Sequence, residues 1–77
     1  MCTIKIEEPG KAVKWVKKID KLTGEITFTS EKREAYVRDG SFYCNSEVKT
    51  LKNPMMYDHE KYPELQYART DTDYSRY

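Results

Sequence analysis

The sequence is poor in the residues that carry most protein chemistry: one histidine, two cysteines, three glycines and three prolines among 77 residues. Each scarcity closes a class of function. The single histidine, His59, lies between Asp58 and Glu60. A metal site needs several His, Cys or carboxylate ligands that converge, and immediate neighbours in sequence rarely do. Asp58-His59-Glu60 is read as a solvated polar stretch, and neither a metal nor a cofactor is expected. Cys2 and Cys44 are too few for a disulfide scaffold. Their spacing does not say whether they meet, and a reduced, intracellular setting is the simpler reading. Both fall on predicted apolar faces, where cysteine behaves as a small hydrophobe rather than a low-pKa nucleophile. Gly10, Gly24 and Gly40 each stand in turn chemistry, and none belongs to a phosphate-cradling loop. The thirteen acidic residues all sit among polar neighbours, so no acid–base pair can be singled out. The chain is therefore not expected to be an enzyme.

Long apolar runs are also missing. Nothing approaches the ~20 residues that cross a bilayer. The N-terminal MCTIKIEEPG lacks the basic start and apolar stretch of a secretory signal. The expected setting is cytoplasmic or virion-associated, with no signal-peptide secretion and no membrane partner.

What is present is charge and tyrosine. Charged residues make up 35% and aromatics 13%, and the net charge is only +1, so no global field draws the chain to nucleic acid or lipid. The distribution is less even. Residues 1–53 carry 11 basic and 8 acidic groups, and residues 54–77 carry 3 and 5. A chain this short forms one domain at most, and a small core is marginal without a disulfide, a metal or a partner. With the first two unexpected, association with another protein is the remaining supplement. Lysine outnumbers arginine ten to four and there are seven tyrosines, a mix that AT-rich genomes encode and that short, motif-free bacteriophage chains often show.

The pattern along residues 1–53 predicts a mainly β module, a small antiparallel meander of about five strands with the option of curling into a small open barrel. Cys2, Ile4 and Ile6 alternate with polar residues over 2–7. Residues 12–20 and 25–30 read as a hairpin closed by Asp20-Lys21-Leu22-Thr23-Gly24. Residues 33–38 and 41–48 read as a second hairpin turned at Asp39-Gly40, which sets Val37 opposite Phe42 and Ala35 opposite Cys44. The expected core is Ile4, Ile6, Val13, Trp15, Ile19, Ile26, Phe28, Val37 and Phe42. The alternative is an α+β chain with a helix at 11–22, where Ala12, Trp15, Val16, Ile19 and Leu22 form a helical stripe, or at 31–37 after Ser30.

Residues 54–77 read as a different material, an extended C-terminal arm. Pro54 and Pro63 break regular elements. Aliphatic side chains are few, while five tyrosines lie here: Tyr57, Tyr62, Tyr67, Tyr74 and Tyr77. Three are spaced by five, matching neither helix nor strand. Tyrosine is enriched in protein interfaces, and methionine adapts to irregular apolar pockets. Met55, Met56, Tyr57, Tyr62, Leu65, Tyr67, Tyr74 and Tyr77 are thus the expected partner-binding residues.

The function these features suggest is non-enzymatic protein interaction or assembly. A small bacteriophage virion or capsid-associated protein fits, as does one that binds a host protein, and the chain is expected within an oligomer or larger assembly. The alternative partner is nucleic acid. Lys11, Lys14, Lys17, Lys18 and Lys21 surround Trp15, and a small β-barrel could use such a cluster on single-stranded nucleic acid, with charge tracking phosphate and rings stacking bases.

Overall fold

The computed structural model describes residues 1–38 and 40–72. Five regular elements position everything else. They are β1 (Cys2–Ile6), β2 (Lys14–Asp20), β3 (Glu25–Thr29), α1 (Ser41–Leu51) and β4 (Ala68–Thr72). The strands form one open antiparallel sheet in the order β3-β2-β1-β4. The chain is thus a small antiparallel domain of the mainly-β or α+β kind, and the sheet does not close into a barrel.

The hairpin β2–β3 forms as its turn chemistry dictates. The Asp20 side chain accepts the N–H groups of Leu22 and Thr23. These bonds hold its carboxyl below the usual carboxylate range. Gly24, at φ +76°, returns its N–H to the Asp20 carbonyl at 2.7 Å. Glycine suits this left-handed position because it has no Cβ to clash.

The helical-looking spacing over 11–22 has a different origin. Val16 pairs with Phe28 and Lys18 with Thr27, so Lys17 is an extra residue bulged out of β2. The bulge resets the alternation. Val16 and Ile19, three apart, come to share the core face, while Trp15 turns to the other. The alternative of a helix at 11–22 is thereby replaced by a bulged strand. Val13 and Trp15 leave the expected core, the first exposed and the second half-buried on the open face.

The expected second hairpin does not form. Asp39 lies outside the described residues. Gly40, at φ +87° and ψ 138°, leads into a helix rather than a returning strand. The reason is a stripe that the hairpin reading overlooked: Cys44, Val48 and Leu51 recur at helical spacing with Glu47 beside them, and all four face inward. Val37 and Phe42, expected to be buried opposite each other, are instead both exposed. Residues 31–37 are not a helix either, apart from one 3₁₀ turn at Lys32–Glu34. After that turn the chain is extended and wedges between two strands. Tyr36 N–H donates to the Val16 carbonyl at 2.9 Å, and Arg38 and Cys2 exchange both backbone bonds.

Residues 54–72 are not a free arm. The end of α1 is capped from this segment, since the His59 Nε2–H donates to the Leu51 carbonyl at 2.8 Å. A carbonyl can only accept, so this ring nitrogen carries the proton. The segment then turns on Asn53 and Asp58, whose side-chain oxygens accept backbone N–H groups. Tyr62 accepts the Ile26 N–H at its hydroxyl and sets its ring edge-on to Phe28 at 6.1 Å between centroids. A 3₁₀ helix at Pro63–Tyr67 delivers Leu65 to the core, and β4 follows, paired along the whole of β1. The core is one layer between sheet and cover. Cys2, Ile4, Ile6, Val16, Ile26 and Ala68 lie beneath Cys44, Leu51, Tyr57 and Leu65. Burial pushes the Tyr57 hydroxyl above its usual pKa, with Glu47 adding to the effect. Cys2 and Cys44 meet in this layer as a disulfide that ties β1 to α1, where the sequence suggested reduced thiols.

Candidate interaction surface

The residues expected to bind a partner divide into three groups. Tyr57 and Leu65 are buried in the chain's own core, and Tyr62 packs against it. Met55, Met56 and Tyr67 are exposed, Met55 at 91% and Met56 at 60%. Tyr74 and Tyr77 lie outside the described residues. The two methionines and Tyr67 therefore remain available to a partner, and the methionines stand just past the C-terminal end of α1.

The outer side of α1 links them to residues that sequence reasoning had placed in the core. Phe42, in the first turn, is 75% exposed, and Tyr43 beside it is also largely exposed, the two rings edge to face at 5.7 Å. The Arg38 guanidinium lies 5.5 Å from both the Tyr36 and Tyr43 ring centroids. Phe42, Asn45, Ser46 and Lys49 line a shallow groove of about 330 Å³. Lys49, Thr50, Asn53 and Met56 line a second, of about 460 Å³. Lys49 belongs to both, so one strip runs the length of the helix, roughly 16 Å for eleven residues. Its ends are apolar and its middle is polar. The only carboxylate of α1, Glu47, is buried and faces Lys21 at 3.7 Å, so the charges the helix and its C-cap expose, Lys49 and Lys52, are positive. Phe42 could have been found from sequence, since it falls off the Cys44-Val48-Leu51 stripe.

The structure does not bring the five lysines around Trp15 together. Lys11 reaches Glu8 at 3.5 Å, Lys17 reaches Glu34 at 3.9 Å, and Lys21 reaches Glu47. Lys14 reaches Glu64 at 2.9 Å and covers the Phe28 ring on the core side. Lys18 is exposed, with no ion pair among the described residues. Four of the five positive charges thus have a local counter-charge. On the open face, Trp15 donates its indole N–H to Asp71 at 3.1 Å, and Lys32 approaches the same carboxylate at 3.2 Å.

That contact has a pH signature. Burial pushes the Asp71 carboxyl up, but the Trp15 hydrogen bond and the Lys32 ammonium outweigh it and hold the group below its usual range. A lowered folded-state pKa stabilises the native protein above the unfolded pKa of about 3.9 and ceases to do so as the carboxylate protonates. The stability this group contributes should therefore be fully present and unchanging with pH around neutrality, and be lost as pH drops below about 4. Trp15 fluorescence and the urea midpoint check it: Asp71→Asn should lower stability at neutral pH and reduce the acid-dependent loss. An unchanged acid profile would contradict the assignment.

Among the described residues no cluster of three or more His, Cys, Asp or Glu side chains could hold a metal. None of their helices is long and apolar enough to cross a membrane. No family model, curated protein or solved structure matches the chain.

Proposed function

We propose that the protein is a non-enzymatic interaction or assembly module that holds other protein through the outer side of α1. The observation that carries this reading is the strip from Phe42 to Met56, with large apolar side chains at both ends and only positive charge between them. Exposed aromatic and methionine side chains flanked by polar groups are the composition of a protein-binding patch. Such a partner would offer apolar pockets to Phe42 and Met56 and carboxylates to Lys49 and Lys52. A small bacteriophage protein, associated with the virion or capsid or bound to a host protein, fits the size and composition. A virion setting also suits the Cys2–Cys44 bond, because disulfides persist outside a reducing cytosol.

The test is affinity recovery from the producing cells with the whole chain and with Phe42→Ser/Met56→Ser. Both side chains are exposed, so the variant should keep its circular dichroism and melting behaviour. The expected result is one protein recovered in fixed proportion by the native chain and at least tenfold less by the variant, a loss of about 1.4 kcal/mol or more. Equal recovery by both chains would overturn the assignment of this surface.

A further inference from the structure

Strand β4 uses half of its backbone and leaves the other half at the sheet edge. Glu7 N–H donates to the Tyr67 carbonyl at 3.3 Å. The pairing then runs Ile6 with Ala68, Lys5 with Arg69, Ile4 with Thr70, Thr3 with Asp71 and Cys2 with Thr72. Antiparallel ladders alternate hydrogen-bonded and non-bonded pairs, so Lys5–Arg69 and Thr3–Asp71 are the bonded ones. Cys2 agrees, since both its backbone groups are engaged by Arg38 on its other side. The Thr70 N–H and carbonyl, the Ala68 carbonyl and the Thr72 N–H therefore point away from β1. The Ala68 N–H is held by Leu65. Among the described residues, no further bond reaches the Thr70 backbone. An edge in this state is a template for another strand.

We infer that the edge pairs with β4 of a second copy, antiparallel about a two-fold axis at Thr70, to give a continuous eight-stranded sheet. The inference rests on reading this side of the molecule as an interaction surface, and it names the occupant. Charge selects the register. With the axis at Thr70, Arg69 of each copy stands opposite Asp71 of the other. That is a non-bonded pair, where facing side chains come closest. Moving the axis one residue either way sets Arg69 against Arg69 or Asp71 against Asp71, and like charges directly opposite are destabilising. Arg69 is 67% exposed and bonds Glu7 Oε1 through Nη1 at 3.0 Å, so the contact uses its remaining guanidinium donors, while the Asp71 opposite keeps Trp15 and Lys32 on its Oδ2.

The helix above the edge is consistent with the same axis. Thr70 Oγ1 donates to Asn45 Oδ1 at 2.7 Å, which places that flank of α1 over the edge. The groove there is lined by Phe42, Asn45, Ser46 and Lys49. A two-fold through this point runs the neighbouring α1 in the opposite direction. Asn45 then lies toward Ser46 of the second copy, and Phe42 toward its Lys49. A lysine stem and ammonium suit an aromatic ring, and Lys49 does not meet its like. A surface that is its own complement is what an isologous dimer requires.

Sedimentation equilibrium of the whole oxidised chain, from micromolar to millimolar, tests this. The expected species at the upper end has twice the 9.2 kDa mass of the chain. Thr70→Pro removes an outward donor without touching the hydrogen bonds of the β1 ladder, and should weaken association at least about tenfold, since two symmetric bonds are lost, whereas Thr70→Ala, which loses the same Asn45 bond but keeps the donor, should associate nearly as the native chain does. Arg69→Asp should weaken it similarly, because carboxylates then face each other across the axis, whereas Arg69→Lys, which keeps the positive charge opposite Asp71, should leave association close to the native value. A monomer at every concentration, or a dimer that Thr70→Pro leaves intact, overturns the inference. If the chain stays monomeric while Phe42→Ser/Met56→Ser still loses its cellular partner, only the second copy falls and the α1 reading stands. If the dimer behaves as expected while that variant recovers the partner normally, the reverse holds.

Discussion

A chain ending at Asn53 should not fold. It would lack Tyr57, Leu65 and Ala68, all buried, and Tyr62, which covers Phe28 and accepts a backbone bond from β3. It would also expose Ile4 and Ile6 along the edge where β4 now pairs. Fully burying one large apolar side chain is worth about 1.5–3 kcal/mol. Losing the burial of Leu65 and Tyr57, with that of Tyr62 in part, and uncovering their neighbours removes roughly 5–8 kcal/mol on that scale. A chain of 77 residues has a total stability of only about 4–12 kcal/mol. The truncated chain is therefore expected to show no cooperative thermal transition and no dispersed amide spectrum, whereas the full chain shows both. The composition of residues 54–77 alone suggested the opposite, a self-sufficient module over 1–53. A cooperative melt of the truncated chain would restore that view.

The second large effect concerns the Cys2–Cys44 bond. It closes a loop with a sequence separation of 42 residues between the first strand and the helix. Cross-linking a loop of that length removes chain entropy from the unfolded state worth about 4 kcal/mol, with measured cases spanning roughly 2–5. Reduction of the native chain should lower its unfolding free energy by about that amount. The melting temperature should fall by more than ~15 °C, since 1 kcal/mol is worth about 4–8 °C in a domain of this size. The reduced wild-type chain is the cleaner comparison, because serine at either position would put a hydroxyl into an apolar layer. Denaturant titrations with and without dithiothreitol measure the effect. A difference below about 1 kcal/mol would mean that the bond contributes little beyond what packing of the two thiols provides. Both cysteines are fully buried, so complete reduction has to be confirmed by mass.

These two effects show where the sequence was legible. The first strand and the β2–β3 hairpin could be read because their signals are local: alternation at Ile4 and Ile6, and an Asp…Gly turn whose bonds the structure contains. The second hairpin was misread because Asp39-Gly40 offered a turn whose facing residues happened to be apolar. The competing helical stripe at Cys44, Val48 and Leu51 is just as local, and it is the one that buries its residues. The bulge at Lys17 was hidden for a general reason, since one inserted residue makes a strand mimic helical spacing. The C-terminal third was the hardest. Its few apolar residues, Leu65 and Ala68, cannot form a core among themselves. They complete one begun by β1, and a pairing across more than sixty residues leaves no periodic trace. The tyrosines spaced by five also have no common role. Tyr57 fills the core, Tyr62 bridges to β3 and Tyr67 opens to solvent.

The interaction surface was legible only in part. Met55 and Met56 were expected at a partner contact and are exposed. Phe42 was expected in the core and stands at the other end of the same helical strip. The edge of β4 could not be seen until its pairing with β1 was known, because Arg69 and Asp71 acquire a meaning only from which of their backbone groups are already used.

The account stands on residues 54–72 belonging to the same cooperative unit as the first strand. Amide hydrogen exchange on the full chain tests this most directly. The N–H groups of Arg69 and Asp71, which face β1, should be protected to the same free energy as those of the β1 and β2 core, while the outward Thr70 N–H exchanges faster in dilute monomer. Exchange of Arg69 and Asp71 at the rate of an unstructured peptide, with β1 and β2 still protected, would show that the C-terminal third does not complete this sheet.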